Sequence, residues 1–327
     1  EGTMTAFLGF GGYVPDRVMT NDDWAKLVDT SDEWIVQRTG IRERRVAADH
    51  ESTATLAHEA ALVALADAGL EATELDEIIL ATDTPEVRTP DTASFLQHLL
   101  GAREIPSFDL GGSGCAGFVL GLDVARSRIA FEPKRVLVVG VELITRMISW
   151  KERETCVLFG DGAGAVVLGP ERGEAELLAV VSGTDGAMSG ILTLDVGGTK
   201  RPFDPADPDG HDHLTMHGTE VFKQAVHRMS TATSEVLARI GATTADVDLV
   251  IPHQANKRII DAVARRLDIG EDKVFVNVDR FGNTGSASVP LALWQARSED
   301  RIEPGSLVVL TAFGAGFHWS AAAIRFH

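Results

Sequence analysis

Short apolar, β-rich runs alternate along this chain with longer stretches in which apolar residues recur at helical spacing. The strand-like runs cover residues 5–11, 77–82, 107–110, 135–141, 157–168, 178–182, 248–252, 273–278 and 306–313. The helical stretches cover 53–68, 115–130, 219–240, 257–267 and 286–296, the last with Pro290 near its start, where proline is tolerated. Strands alternating with helices predict an α/β fold. Residues 200–212 are dense in Pro, Asp and Gly and read as a surface loop.

The pattern also repeats. Asp109-Leu-Gly-Gly-Ser-Gly-Cys115 aligns with Asp279-Arg-Phe-Gly-Asn-Thr-Gly285, and each follows an apolar strand and opens a helix. Glu77-Ile-Ile-Leu-Ala81 matches Asp248-Leu-Val-Ile-Pro252 at nearly the same offset, and Phe159-Gly-Asp-Gly-Ala-Gly164 and Phe313-Gly-Ala-Gly316 both read as β-hairpins. Three matches in one order imply two related halves, residues 1–172 and 173–327, packed about a pseudo-twofold axis. Glycine-rich turns from both halves would then converge on one site.

Composition narrows the function classes. With 44% hydrophobic and 24% charged residues, the 327-residue chain has ample apolar material for a large core. No apolar stretch reaches the length of a membrane span, and no signal segment opens the chain; Glu1-Gly2-Thr3 reads as an artificial extension before a natural start at Met4. Two cysteines argue against a disulfide framework and for the reducing cytoplasm. The net charge of −18 argues against nucleic-acid binding, so an anionic partner would need a local basic patch.

Three residues carry candidate chemistry. Cys115 lies in Gly111-Gly-Ser-Gly-Cys-Ala-Gly117, where glycines permit a sharp strand-to-helix turn that exposes the thiol. A helix N-terminus there would lower the thiol pKa. Cys156, in Thr155-Cys-Val-Leu-Phe159, reads as a buried mid-strand residue with no catalytic context. His253 in Pro252-His-Gln-Ala-Asn256 and Asn283 in Phe281-Gly-Asn-Thr-Gly285 fall at strand ends on the Cys115 side of the sheet, where α/β folds place their chemistry. Singly, a buried histidine or a turn asparagine is usually structural. Together the three supply a nucleophile and two side-chain N–H donors. No His/Cys cluster shows metal-ligand spacing.

These motifs have a known counterpart. Cys115-Ala-Gly-Phe118, Phe159-Gly-Asp-Gly-Ala-Gly164, His253-Gln-Ala-Asn256, Gly282-Asn-Thr284, Ala312-Phe-Gly-Ala-Gly-Phe317 and Asp29-Thr-Ser-Asp-Glu-Trp-Ile-Val-Gln-Arg-Thr-Gly-Ile-Arg42 together resemble the β-ketoacyl-[acyl-carrier-protein] synthase III family over almost the whole chain. The resemblance implies a thiolase-like five-layered α-β-α-β-α fold, a homodimer, and Cys–His–Asn catalysis without a metal or redox cofactor. Cys115 would be acylated by an acyl-CoA. Malonyl-acyl-carrier protein would then lose CO₂ while His253 and Asn283 hold its thioester oxygen, and the β-ketoacyl product would initiate fatty-acid synthesis. Backbone N–H groups of Cys115 and of Ala315, in the 314–316 turn, would form the oxyanion hole. Trp34, Arg38, Arg153 and Lys223 would hold CoA, with the indole stacked on adenine. Lys257, Arg258, Arg265 and Arg266 would form a basic stripe on one helix that docks the acidic carrier.

The chain departs from the usual family pattern at three places. Gly112-Ser113-Gly114 replaces an Ala-rich run, Ala315 stands where glycine is usual, and Arg88 and Thr89 occupy a loop that often carries a pocket-closing aromatic residue from the dimer partner. The last change suggests primers longer than acetyl. The alternative reading is an acyltransferase of secondary metabolism that moves an acyl group without decarboxylation; keeping both His253 and Asn283 argues for condensation. A degradative thiolase needs a second cysteine near the C-terminal glycine turn, a papain-like peptidase does not fit the repeat, and a non-catalytic partner subunit would lack Cys115.

Overall fold

The computed structural model describes residues 4–204, 206 and 213–327. The extension at 1–3 lies outside these residues, as does much of the loop expected at 200–212. Nine strands form one mixed sheet: β1 (Ala6–Tyr13), β2 (Glu77–Thr82), β3 (Ser107–Gly111), β4 (Val136–Leu143), β5 (Asp161–Gly169), β6 (Ala175–Thr184), β7 (Leu249–Pro252), β8 (Leu307–Gly314) and β9 (His318–Phe326). Seven helices pack on it: α1 (Asp32–Thr39), α2 (Thr53–Ala68), α3 (Thr92–Leu100), α4 (Gly117–Phe131), α5 (Gly218–Arg239), α6 (Lys257–Leu267) and α7 (Ser288–Ser298).

The strand order is β7-β8-β9-β6-β1-β5-β4-β2-β3. Strands β1–β5 therefore run third, second, fourth, fifth, first across the sheet. Strands β6–β9 follow the same order once the Val250–Val274 bridge is counted as the third position. The two sets meet only where Ala6 and Phe7 of β1 pair with Glu176 and Ala175 of β6.

The layers follow from which faces are apolar. β4 reads Val-Leu-Val-Val-Gly-Val-Glu-Leu with all eight residues buried, as expected of a strand covered on both faces. The first part of α4 and most of α7 are buried, and the two helices lie between the two halves of the sheet. Phe118, Leu122, Val289 and Leu293 join Phe7 and Phe10 in one central core. Burying one such side chain contributes roughly 1.5–3 kcal/mol. α2 and α3 close the outer face of the first half through Leu56, Ala60 and Leu96, and α5 and α6 close that of the second through Met229, Val236 and Ile260. Five layers result, and helices α4 and α7 start from the turns that carry Cys115 and Asn283.

The structure corrects three expectations. Residues 273–278 form no more than the single Val250–Val274 bridge with β7, because beyond Phe275 N the Gln254 side chain takes the ladder bonds: its Nε2 donates to Phe275 O at 3.0 Å, and its Oε1 accepts from Asn277 N and Val278 N at 2.9 and 3.1 Å. Cys156 closes a helical turn, Arg153–Cys156, and is not mid-strand; Leu158 and Gly160 instead exchange backbone bonds with Asn283. The sequence reading also passes over α1, α3 and β9. The two helices carry local signals, Ser31 and Asp91 as N-caps and Gly40 and Gly101 as left-handed C-caps.

Candidate active site

Cys115 follows β3 in a 3-10 turn, Gly114–Ala116, that leads into α4. Gly112 and Gly114 adopt φ of +69° and +60°, conformations that favour glycine, and they turn the chain sharply so that the thiol faces a cavity. His253 follows the last residue of β7, its backbone N–H held by Thr311 O at 2.8 Å. Asn283 follows the helical turn Val278–Phe281 and is pinned on both sides by Leu158 O at 2.8 Å and Gly160 N at 3.0 Å. The rest of the His-Gln-Ala-Asn motif is structural: Gln254 is the buried hub described above, and Asn256 caps α6 by accepting from Ile259 N at 2.9 Å.

Cys115, His253 and Asn283 line one cavity of about 1090 Å³. His253 is 3% exposed; burial pushes its pKa down to about 3, so the imidazole is neutral, and Nδ1 has no hydrogen-bond partner among the described residues. Asn283 Oδ1 accepts from Gly285 N at 2.9 Å, which turns the amide so that its NH₂ remains to donate. Two neutral donors therefore open on the space beside the thiol. The thiol departs from expectation. Burial first, then the carboxyls of Asp83 and Glu142, push Cys115 well above its ordinary pKa, while its backbone N–H environment pulls the other way only weakly.

The turn that carries Ala315 packs backbone to backbone against the Cys115 turn. A Cβ on Gly314 would meet Cys115 N at 2.2 Å, and one on Gly114 would meet Ala315 N at 2.5 Å. Ala315 is not among the positive-φ residues, which explains why a Cβ is tolerated there, whereas Gly316 has φ of +133°.

At the cavity mouth, Arg38 and Arg153 lie over the Trp34 ring at 4.5 and 4.6 Å, and all three line the cavity with Lys223 and Arg258. The expected stripe on α6 is broader than one line. Arg258 and Arg265, seven residues apart, share an exposed face, with Arg266 and Lys257 flanking it; Lys257 is half-buried and paired with Asp261. Arg88 and Thr89 are exposed and do not line the cavity of this single chain. Among the described residues no cluster of three His, Cys, Asp or Glu side chains could hold a metal ion, and no helix is long and apolar enough to cross a membrane.

Sequence reasoning missed the cavity-lining carboxyls, Asp83 just after β2, Glu142 in β4, and Glu152 and Glu154 near Arg153. A single charged residue inside an apolar strand, near its C-terminal end, was the available signal for Glu142.

The chain matches two family models, one described as 3-oxoacyl-[acyl-carrier-protein (ACP)] synthase III over residues 108–186 and its C-terminal counterpart over 237–326. It is 48% identical over 322 residues to the β-ketoacyl-[acyl-carrier-protein] synthase III of Roseiflexus castenholzii, covering 98% of this chain and 97% of the relative. It is 46% identical over 328 residues to that of Oleidesulfovibrio alaskensis, covering 99% of each. The crystal structure of 3-oxoacyl-[acyl-carrier-protein] synthase III from Aquifex aeolicus superposes with a TM-score of 0.91 at 43% identity, covering 98% of this chain and all of that one. The chain belongs to the β-ketoacyl-[acyl-carrier-protein] synthase III family of thiolase-fold condensing acyltransferases that initiate fatty-acid synthesis.

Proposed function

We propose that Cys115, His253 and Asn283 perform the initiating condensation between an acyl-CoA primer and malonyl-acyl-carrier protein. The observation that carries this reading is that all three open on one cavity, with both partner side chains neutral and free to donate. The Cys115 sulfur attacks the thioester carbonyl, the oxyanion is held by the N–H groups of Cys115 and Ala315, and CoA leaves with the thiol proton. In the second half-reaction His253 and Asn283 donate to the malonyl thioester oxygen. The C–CO₂ bond breaks, its electron pair enters the enolate, and the enolate carbon attacks the acyl-cysteine carbonyl; the tetrahedral intermediate collapses, the C–S bond breaks, and Cys115 leaves as the thiolate while the β-ketoacyl carrier departs. Neutral donors suit this step, since a carboxylate there would repel the enolate.

Trp34, Arg38 and Arg153 form the nucleotide end, an aromatic face flanked by cations that suits adenine and phosphate, and Lys223 lies along the same channel. Arg258 and Arg265, flanked by Lys257 and Arg266, give an acidic carrier a local basic surface on a chain of net charge −18. A homodimer is supported by β3, an edge strand that among the described residues pairs only with β2 and leaves its other side open to a second copy. The repeated strand order supports division into halves at 172/173, between β5 and β6. We place the enzyme in the cytoplasm, on its two free cysteines. Acetyl-CoA is our default primer, with longer or branched chains open because Thr89 offers no aromatic closure.

The test is to mix the enzyme with acyl-CoA and malonyl-acyl-carrier protein and follow product mass and CO₂ together. A β-ketoacyl carrier with matching CO₂ release supports condensation. Acyl transfer without CO₂ supports the acyltransferase alternative.

A further inference from the structure

Four carboxyls line the cavity, Asp83, Glu142, Glu152 and Glu154, and the proposed trio gives none of them a role; Asp83 and Glu142 are the two that bond to one another and to the turns beside Cys115 and Asn283. Glu142 is 1% exposed and is the one charged residue of β4. It accepts from Asp83 N at 3.0 and 3.2 Å, from Thr84 Oγ1 at 2.7 Å and from Thr82 Oγ1 at 3.3 Å, all at the end of β2. From the other half of the molecule it meets the turn after Asn283, with Ser286 Oγ at 2.7 Å and Ser286 N at 3.4 Å. Ser286 Oγ also lies 3.2 Å from Gly114 O, and Gly114 N donates to Asp83 Oδ1 at 3.3 Å.

These contacts close a ring: Glu142, Ser286, Gly114, Asp83 and back to Glu142. It joins the turn before the nucleophile to the turn after Asn283, 172 residues apart along the chain between Gly114 and Ser286. The fit is tight as well as polar. Gly285 has φ of +56°, and a Cβ there would lie 2.6 Å from Glu142 Cγ.

We propose that Glu142, together with Asp83, is a positioning residue of the catalytic centre, holding the Cys115 turn of one half in register with the Asn283 turn of the other. The inference rests on the reading of Cys115 as the acylated nucleophile.

The ring also assigns a proton. Ser286 has one hydroxyl hydrogen but two acceptors, Glu142 Oε1 and Gly114 O. A protonated Glu142 donates to Ser286 Oγ and frees that hydrogen for Gly114 O, so every link is made. Burial, then Asp83, push the Glu142 carboxyl up to about 8, in keeping with a proton held at neutral pH. The titratable groups that face the pair are Cys115 in the turn before α4 and His318 on β9; the Gly285–Ala287 turn contributes none. Loss of the proton at alkaline pH breaks the link to Gly114 O and places a negative charge beside the oxyanion, so the rate should fall as pH passes through about 8.

The experiment compares Glu142→Ala, Glu142→Gln and Ser286→Ala with the wild-type full chain, each first checked for fold by circular dichroism. Cys115 acylation by acetyl-CoA, kcat, KM and the pH profile are then measured. Removing the hub or the bridging hydroxyl should slow acylation and kcat roughly 10- to 100-fold with KM for acyl-CoA unchanged, because the nucleophile is misplaced and the binding surface is not. Glu142→Gln, whose amide reproduces the protonated carboxyl, should recover most of the lost rate and lack the alkaline fall. A folded Glu142→Ala or Ser286→Ala with wild-type rates overturns the proposal, and so does a Glu142→Gln profile identical to wild type. If Glu142→Ala does not fold, Ser286→Ala, which removes one oxygen, decides. Wild type that loads no acyl group would sink the reading of the site and this inference with it. Equal loading of wild type and Glu142→Ala would sink the inference alone.

Discussion

Each of the three side chains proposed as catalytic has its chemistry set by contacts outside the trio. His253 is kept neutral by burial alone, and Asn283 is oriented because Gly285 N–H occupies its carbonyl oxygen. Donation to an enolate needs both conditions, whereas acylation of Cys115 needs neither. His253→Ala and Asn283→Ala should therefore still load an acyl group, but each should lose about 10²–10³-fold in condensation with malonyl carrier, read by separate assays of the two half-reactions. Equal losses in both halves would mean that these residues serve the thiol instead. Gly314 is a packing requirement of the same site. With a Cβ placed 2.2 Å from Cys115 N, Gly314→Ala should destabilise the fold by about 1–3 kcal/mol and abolish most acylation, measurable by denaturant titration and intact mass.

Elements were legible where one signal dominated. Helices Thr53–Ala68 and Lys257–Leu267 and strand Glu77–Thr82 have the bounds that their apolar patterns give. Residues 273–278 look like a strand, but they meet β7 only at the Val250–Val274 bridge and Phe275 N, and from Phe275 O onward one glutamine 21 or more positions away takes the bonds, a side-chain role of which periodicity carries no trace. The proposed trio was nameable from the sequence because a repeat pairs the Cys115 turn with the Asn283 turn, although one follows a strand and the other a helical turn. Asp83, Glu142 and Ser286 were not, since their roles depend on how two distant turns meet. Helix α6 offers the test at this scale. Reversing charge with Arg265→Glu and Arg266→Glu, which lie outside the cavity lining, should raise KM for the carrier about tenfold and weaken its salt dependence, leaving acyl-CoA loading intact. An unchanged carrier KM would remove α6 from the docking surface.

Across the whole molecule, the five layers bury titratable groups that the unfolded chain exposes, and stability becomes linked to pH. Glu142 has a raised pKa, about 8 against an ordinary 4.5, so the folded state holds a proton that the unfolded chain releases. Its contribution is fully present below 4.5 and is lost as pH rises through about 8. His253 acts in the opposite direction, its contribution falling as pH drops from 6.5 toward about 3. The melting temperature of Glu142→Gln relative to wild type should accordingly climb as pH rises from acid to alkaline; a constant difference would place the Glu142 proton elsewhere.

The most direct measurement is intact mass spectrometry of the wild type, Cys115→Ala and Cys156→Ser after mixing with acetyl-, butyryl-, isobutyryl- and octanoyl-CoA. The wild type and Cys156→Ser should each gain one acyl group, Cys115→Ala should gain none, and malonyl-acyl-carrier protein should discharge the loaded enzymes as a β-ketoacyl carrier with release of CO₂. Loading that persists in Cys115→Ala, or no loading from any of the four thioesters, would contradict the account.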